Sequence, residues 1–372
     1  METLTDALKA AIRVSKQTIH AIAQGAGVED ASLRRFMAGK RSMRLDMADK
    51  VASYLSLSLQ PSNRLGLTSF VDLFSGIGGF HAGLAGYGMR CLLACEIDPG
   101  CRAMYRLNYP GVPIHNDVRT LHDVPPHDVL TAGFPCQSFS ISGSRGGLGD
   151  DRGILFREVV RIASKHRPKV VLMENVKHLL QIDGGRAMET IRKEFDAIGY
   201  SFQHALLNLA DFGVPQARWR VYMVAIAGGA LSWTPPIPDP EATPTLRDFL
   251  SGRNTDGVKP VAGVTLRPDH RRPVRGPARV GHVNKAGQGD RIYSGMGHAI
   301  TITSGGGGTG QSTGLYYLDG QVRALSVAEC VRLMGFEDGH HVGPGKKPAY
   351  RQLGNAVAPT MVRRVFAGLS IK

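Results

Sequence analysis

Cysteine is scarce in this chain: five in 372 residues, Cys91, Cys95, Cys101, Cys136 and Cys330. The number is odd and no two form a CxxC pair, which excludes a disulfide framework and a paired-cysteine zinc motif. Cys91, Cys95 and Cys101 cluster, but no histidine completes a ligand spacing around them. They read as packing residues, and no metal is expected. Long apolar runs are missing too. Nothing in the sequence is long enough to span a bilayer, and the opening METLTDALKA does not read as a signal peptide. The expected setting is a reducing cytoplasm, with no membrane partner. Acidic residues are few: 31 Asp and Glu against 45 Lys and Arg, a formal charge of +14. That excess suits a polyanion, most simply nucleic acid, although a merely basic enzyme would carry it too. With 42% hydrophobic and 20% charged residues the chain is globular, and its length predicts two or three units.

Residues 1–65 read as helices. LTDALKAAI has helical apolar spacing, TIHAIAQ is a second short helix, GAG a turn, VEDASLRRFM a third helix and RLDMADKVASYLSL a fourth. A short helix, a glycine turn and a helix carrying Arg34 and Arg35 make the helix-turn-helix pattern. The stretch IAQGAGVEDASLRRFMAGKRSMRLDMADKVASYLSL resembles the Cro/repressor class of DNA-binding domains. That likeness implies that Ser32, Arg34 and Arg35 face a major groove, with Lys40 and Arg41 near phosphates. A helical unit that only packs on the rest, or pairs two copies, fits the same pattern. QPSNRLG reads as a linker.

Residues 67–232 alternate strand and helix, the mark of an α/β doubly wound sheet. LTSFVDLF, RCLLACEID, HDVLTAGF, KVVLMENV and RVYMVAIA are the strands, and SGIGGF is a glycine turn leading into the helix that starts HAGLAGYG. A strand, a glycine turn, a helix and a second strand ending in Glu describe a nucleoside-cofactor site shared by dehydrogenases and methyltransferases. The spacing GIGGF is not the GxGxxG that cradles a pyrophosphate, which favours S-adenosylmethionine over a dinucleotide. Residues 233–322 change character, with proline-rich TPPIPDPEATP, the basic run RPDHRRPVRGPAR and the glycine stretch TITSGGGGTGQSTG. Little periodicity is visible there. Beside a cofactor unit in a basic protein, a nucleic-acid-contacting insert is expected. Residues 323–372 regain order: ALSVAECVRLMGF is helical, YRQLGNAVAP reads as a loop with a Gly-Asn turn, and MVRRVFAGL as a closing helix.

GFPCQSFSISG, residues 133–143, places Cys136 just beyond a buried strand, at the start of a polar loop. Strand ends followed by such loops hold the reacting groups of α/β enzymes, yet a free cysteine is usually a small core hydrophobe. FVDLFSGIGGF, GFPCQSFS, MENV, QARWR and LGNAVAP, in that order, together resemble the DNA (cytosine-5) methyltransferase family over most of residues 67–372.

The resemblance implies the fold of S-adenosylmethionine-dependent methyltransferases, a Rossmann-like doubly wound sheet, with 67–232 the catalytic unit and 233–322 a small target-recognition domain. Residues 323–372 then return to the catalytic unit. It implies a thiolate, Cys136, adding at cytosine carbon 6 so that carbon 5 becomes nucleophilic. Pro135 fixes the backbone before it, and Gln137, Ser138 and Ser140 belong to a loop that closes over DNA. Glu174 shares a proton with ring nitrogen 3, and a strand-end site favours a raised pKa. Arg220 holds the base, while Arg218 supports the site or a phosphate. Phe74, Gly76 and Gly78 line the cofactor, Glu96 takes the ribose hydroxyls, Asp117 the adenine amino group, Val118 packs on the ring, and Asn355 and Val357 close the methionine end. Asp98 fits a capping role equally well. Arg267, Arg271, Arg272, Arg275 and Arg279 meet phosphates or guanine edges, and the target cytosine flips out of the duplex.

Two other readings stay open: a tRNA methyltransferase of the same chemistry, and a non-catalytic DNA-binding repressor. A hybrid, an enzyme whose N-terminal unit also represses its own promoter, is a third. Double-stranded DNA is the expected partner, a companion restriction endonuclease is left open, and a monomer is expected, with pairing through the N-terminal unit as the alternative.

Overall fold

The computed structural model describes residues 8–9, 12–13, 15, 17–39, 47, 51, 65–135, 154–240, 243–252, 255, 258–268, 275–284 and 287–372. Among the described residues no helix is long and apolar enough to cross a membrane.

Near the N-terminus lie α1 (Ile19–Ala26) and α2 (Asp30–Met37). The Thr18 side chain caps α1 by accepting from the Ala21 amide, and Gly27 ends it in the left-handed conformation at φ 63°. The turn is therefore Gly27–Glu29, not GAG: one left-handed residue stops a helix, and Gly25 is simply carried inside it. Ile22, Ala23, Leu33 and Phe36 pack with Leu8, Ile12 and Val51 in one small core. The first and fourth expected helices lie largely outside the described residues, as do Lys40 and Arg41.

The large sheet contains β1 (Ser69–Leu73), β2 (Arg90–Cys95), β3 (Ile114–His115), β4 (Val129–Ala132), β5 (Val170–Val176) and β6 (Tyr200–Asn208). After the two-residue strand β7 (Gln216–Ala217) comes its last member, β8 (Trp219–Ala227). The order is β3-β2-β1-β4-β5-β8-β6. Strands β1 to β5 are parallel, and β8 lies antiparallel to both β5 and β6. Strands buried on both faces read as continuous apolar runs, with alternate residues going to opposite cores. Along β8, Tyr222, Val224 and Ile226 join one cluster and Val221, Met223 and Ala225 the other.

The helices that follow are α3 (Gly79–Ala85), α4 (Pro99–Asn108), α5 (Ile154–His166), α6 (Arg186–Ala197), α7 (Leu246–Leu250), α8 (Val327–Leu333), α9 (Lys346–Asn355) and α10 (Pro359–Ala367). Phe156, Val159, Ile191 and Phe195 bring α5 and α6 onto one face. Phe80, Leu84, Val362 and Phe366 bring α3 and α10 onto the other, so the C-terminal segment returns to the large sheet. This is the doubly wound arrangement.

Three elements differ from the reading of the sequence. β6, YSFQHALLN, is an edge strand, and its interrupted apolar pattern matches partial burial. Between 233 and 323, β9 (Leu231–Trp233) is followed by β10 (Val264–Leu266), β11 (Arg279–Val283), β12 (Arg291–Ser294), β13 (Ala299–Ile300), β14 (Leu315–Leu318) and β15 (Gln321–Arg323). A second sheet, β10-β11-β12-β14-β15, closes over Val280, Val283, Ile292, Leu315 and Val322. These strands are too short to show a period of two. Outside it, β13 pairs with β7, and β9 with β16 (Leu369–Ile371). Finally, YRQLGN is helical, the end of α9, rather than a loop with a turn. Gly354 is needed there for contact, because a Cβ would collide with the Ser304 amide of the glycine stretch.

Candidate active site at the strand ends

Strand order reverses between β1 and β4, and open α/β sheets bind ligands beyond the strand ends at such a point. The two strands are followed by FSGIGGF and by GFPC. In the first turn Phe74 has φ 55° and Gly78 has φ 90°. A Cβ on Gly78 would also strike the Tyr109 ring. The Tyr109 hydroxyl donates to the Gly78 carbonyl at 3.0 Å, and His340 Nε2 lies 2.9 Å from the Ile77 carbonyl. These two side chains hold the turn from behind. Sequence reasoning missed both, since neither belongs to a motif. Gly76 faces open space, with no atom within 4 Å of where its Cβ would stand.

Glu96, at the end of β2, accepts from the Gly76 amide at 2.9 Å and the Asp98 amide at 2.7 Å. Burial pushes its carboxyl pKa up. Ile97 beside it is 65% exposed, an open apolar side chain that belongs to no sequence motif. Asp98 caps α4 through the Cys101 amide and pairs with Arg351 at 2.9 Å, so it is structural. Asp117 caps a short turn at Val118–Thr120, and the Arg119 guanidinium beside it holds its carboxyl below the usual range. Val118 is buried. Asn355 is exposed at the end of α9, and Val357 is buried against the turn, its carbonyl where a Cβ on Gly79 would be.

The second half of the site begins at β4. Phe134 is buried and Pro135 exposed; Cys136, Gln137, Ser138 and Ser140 lie outside the described residues, as do Arg271 and Arg272. Asn175 Nδ2 donates to the Phe134 carbonyl at 2.9 Å, tying the entry of that loop to β5. Glu174, one residue earlier on β5, is 10% exposed at its side chain, and Arg220 Nε stands 3.0 Å from its Oε1. The contact is an ion pair without hydrogen-bond alignment, which leaves Oε1 lacking a donor. Burial raises the Glu174 pKa, with Arg220 and then Arg218 opposing.

Arg218, between β7 and β8, and Arg220, in β8, do not share a task. Arg218 is 2% exposed and donates to the carbonyls of Ile302, Gly354 and Ala356 at 3.2, 3.0 and 2.7 Å. It clamps the glycine stretch and the C-terminal motif onto β8, while its Nε has no hydrogen-bond partner. Burial lowers its pKa to about 9, so it stays charged at neutral pH. Arg218→Ala leaves three buried carbonyls unpaired, with an expected loss of about 3 kcal/mol, seen as a Tm drop of roughly 4–5 °C in a thermal melt. An unchanged Tm would contradict the clamp.

Asp72 on β1 is wholly buried; Oδ1 accepts from Thr131 at 2.7 Å and Oδ2 has no partner. Burial raises its pKa from 3.8 to about 7. The folded chain therefore holds a proton that the unfolded chain releases between these values. Stability falls as pH rises through that window, by up to about 1.4 kcal/mol per unit. Asp72→Asn is expected to flatten the dependence of Tm on pH between 5 and 7; an identical slope in both proteins would refute the assignment.

Of the arginines read as DNA contacts, Arg34 pairs with Asp30 along α2 and Arg35 donates to the Ala31 carbonyl at 3.2 Å. Both side chains stay exposed. Arg267 and Arg275 are exposed and Arg279 is half-buried in β11. Cys91, Cys95, Cys101 and Cys330 all have thiol pKa values pushed up to about 12 by burial, which makes them poor thiolates.

The profile of the C-5 cytosine-specific DNA methylase family matches residues 68–370. The chain is 36% identical over 302 residues to the Type II methyltransferase M.HhaI of Haemophilus parahaemolyticus, covering 80% of this chain and 92% of that protein. It is 34% identical over 325 residues to M.HpaII of Haemophilus parainfluenzae, covering 78% and 86%. In fold it is similar to the S. pombe Dnmt2 methyltransferase, with a TM-score of 0.63 at 22% identity over 81% of this chain and 97% of that one.

Proposed function

The chain belongs to the C-5 cytosine-specific DNA methylase family. From that premise we propose that it transfers a methyl group from S-adenosylmethionine to carbon 5 of cytosine in a specific duplex sequence, by base flipping and a covalent Cys136 adduct. The carrying observation is the buried Glu174–Arg220 pair at the strand ends, with Asn175 tying the chain that enters Pro135 and Cys136 to the same strand.

Glu174 Oε1, ion-paired with Arg220 but without a hydrogen-bond partner, is free to bond the ring nitrogen, and a raised pKa keeps a proton available to share. Arg220 beside it offers its guanidinium to the exocyclic oxygen of the base. The other four cysteines are poor thiolates, which leaves Cys136 as the nucleophile that adds to carbon 6. Loss of the carbon 5 proton and release of the thiolate complete the turnover, water serving as base. Flipping costs a few kcal/mol, recovered by these contacts.

The residues present fit S-adenosylmethionine: the open cradle at Gly76 after Phe74, the half-buried Glu96 for ribose hydroxyls, Asp117 for the adenine amino group, and Ile97 and Val118 as apolar surfaces for its ring. Asn355 and Val357 would stand at the methionine end. When bound, the cofactor supplies an electrophilic methyl group on a sulfonium.

Residues 233–322 would form the target-recognition unit, with Arg267, Arg271, Arg272 and Arg275 against DNA, and residues 323–372 the return to the catalytic unit. Residues 1–65 would add a helix-turn-helix contact through Arg34 and Arg35 and repress the chain's own promoter. A gel shift of upstream DNA competed equally by random duplex would contradict that role. Bisulfite sequencing of DNA from expressing cells tests the main reading. Protected cytosines confined to one short motif support it; DNA without protection, beside modified tRNA, overturns it.

A further inference from the structure

Trp219 is the first residue of β8, one place before Arg220, and it is 42% exposed. The chain has one other tryptophan, Trp233, which is buried with its indole N–H on the Val365 carbonyl at 2.8 Å. A large ring left open on a rim gives up burial energy that a core position would supply, so packing does not account for it. Side chains alternate along a strand, so Trp219 leaves the sheet opposite Arg220, toward the residue that follows β5. That residue is Lys177, exposed, its Nζ 5.6 Å from the Trp219 ring centroid. A cation over the ring orients it and keeps positive charge beside it. An aromatic face with an adjacent ammonium is what nucleic-acid strands dock on: the ring meets a base, the ammonium a phosphate.

We propose that Trp219 and Lys177 form a docking platform for the nucleotide next to the target cytosine on the same strand, the ring stacking on its base and Nζ contacting its phosphate. The proposal rests on the DNA methylation reading above. Trp219 and Arg220 are consecutive at the start of β8, so their side chains leave opposite faces of the sheet at its rim. A base lodged against Glu174 and Arg220 on one face brings the strand that carries it over this rim, and Trp219 meets the neighbouring base from the other face. Flipping the cytosine also removes stacking from that neighbour, and the indole replaces it. The chain's charge of +14 complements the strand.

The test uses the full chain and a duplex carrying the protected motif, with a scrambled duplex as control. Because Trp233 is buried, the difference between wild type and Trp219→Phe isolates the emission of Trp219. On binding the motif duplex that emission is expected to be quenched. By anisotropy, Trp219→Ala weakens binding about tenfold, Trp219→Phe retains most of it, and Lys177→Gln lowers the salt slope by about one. An unchanged melting temperature in Trp219→Ala confirms that the loss is not unfolding. Binding with unaltered Trp219 emission and full affinity in Trp219→Ala overturns the platform and leaves the methylation reading intact. A wild-type chain that neither methylates nor binds duplex overturns both.

Discussion

Cys136→Ser abolishes methyl transfer to cytosine, lowering the single-turnover rate by a factor on the order of 10⁴ or more. The expectation follows from the electronics of the ring. Carbon 5 of cytosine is a poor nucleophile until something adds at carbon 6, and a serine hydroxyl is far less ionised and less nucleophilic than a thiol near neutral pH. No other described cysteine can take over: Cys91, Cys95, Cys101 and Cys330 are held as thiols with pKa values near 12 by burial. The substitution exchanges one small side chain for another, so duplex affinity and Tm should stay near wild type. Transfer of labelled methyl to the motif duplex measures the rate, and anisotropy the affinity. A variant that keeps a tenth of the activity would mean that Cys136 is not the nucleophile.

Glu174→Gln is the second large effect, a fall in kcat of about 10²- to 10⁴-fold. Gln occupies nearly the same volume, but it has no proton to share with ring nitrogen 3 when electron density builds there. The sign of the pH effect follows from burial. Glu174 holds its proton to higher pH than an ordinary carboxyl, and deprotonation removes the shared proton, so activity declines on the alkaline side. The variant loses the limb of the kcat–pH profile that belongs to Glu174, while KM for DNA moves little. Arg220 would then stand without its carboxylate partner, and a modest stability loss accompanies the kinetic one. Equal pH profiles in the two proteins would contradict the proton-sharing role.

What the sequence carried, and what it did not, divides along physical lines. β1, β2, β4, β5 and β8 are apolar runs between turn signals, and buried parallel strands have that pattern. The strands between 264 and 323 are two to five residues long and leave no period to detect. Gly354-Asn355 reads as a turn by composition; only the approach of Ser304 explains a glycine inside α9. Glu174 and Arg220 are legible as motif letters, but their pairing depends on the β5–β8 register, which sets Glu174 opposite Tyr222 and Val176 opposite Arg220. Arg218 and Arg220 look alike in QARWR. The first becomes a clamp because the loop at Ile302 and the end of α9 fold over it, a contact between residues more than eighty positions apart. Tyr109 and His340 brace the glycine turn from segments that carry no motif.

In the proposed reaction Cys136 forms a covalent bond with the target cytosine. Fluorine at carbon 5 cannot leave as a proton does, so a motif duplex with 5-fluorocytosine at the target should arrest the enzyme after addition. With S-adenosylmethionine present, the prediction is a protein–DNA adduct that survives denaturing electrophoresis, with Cys136 as the modified residue by mass spectrometry. It should be absent from Cys136→Ser and slow to form in Glu174→Gln. No adduct on a duplex that the enzyme methylates in its unfluorinated form, or an adduct at another residue, would contradict the central claim.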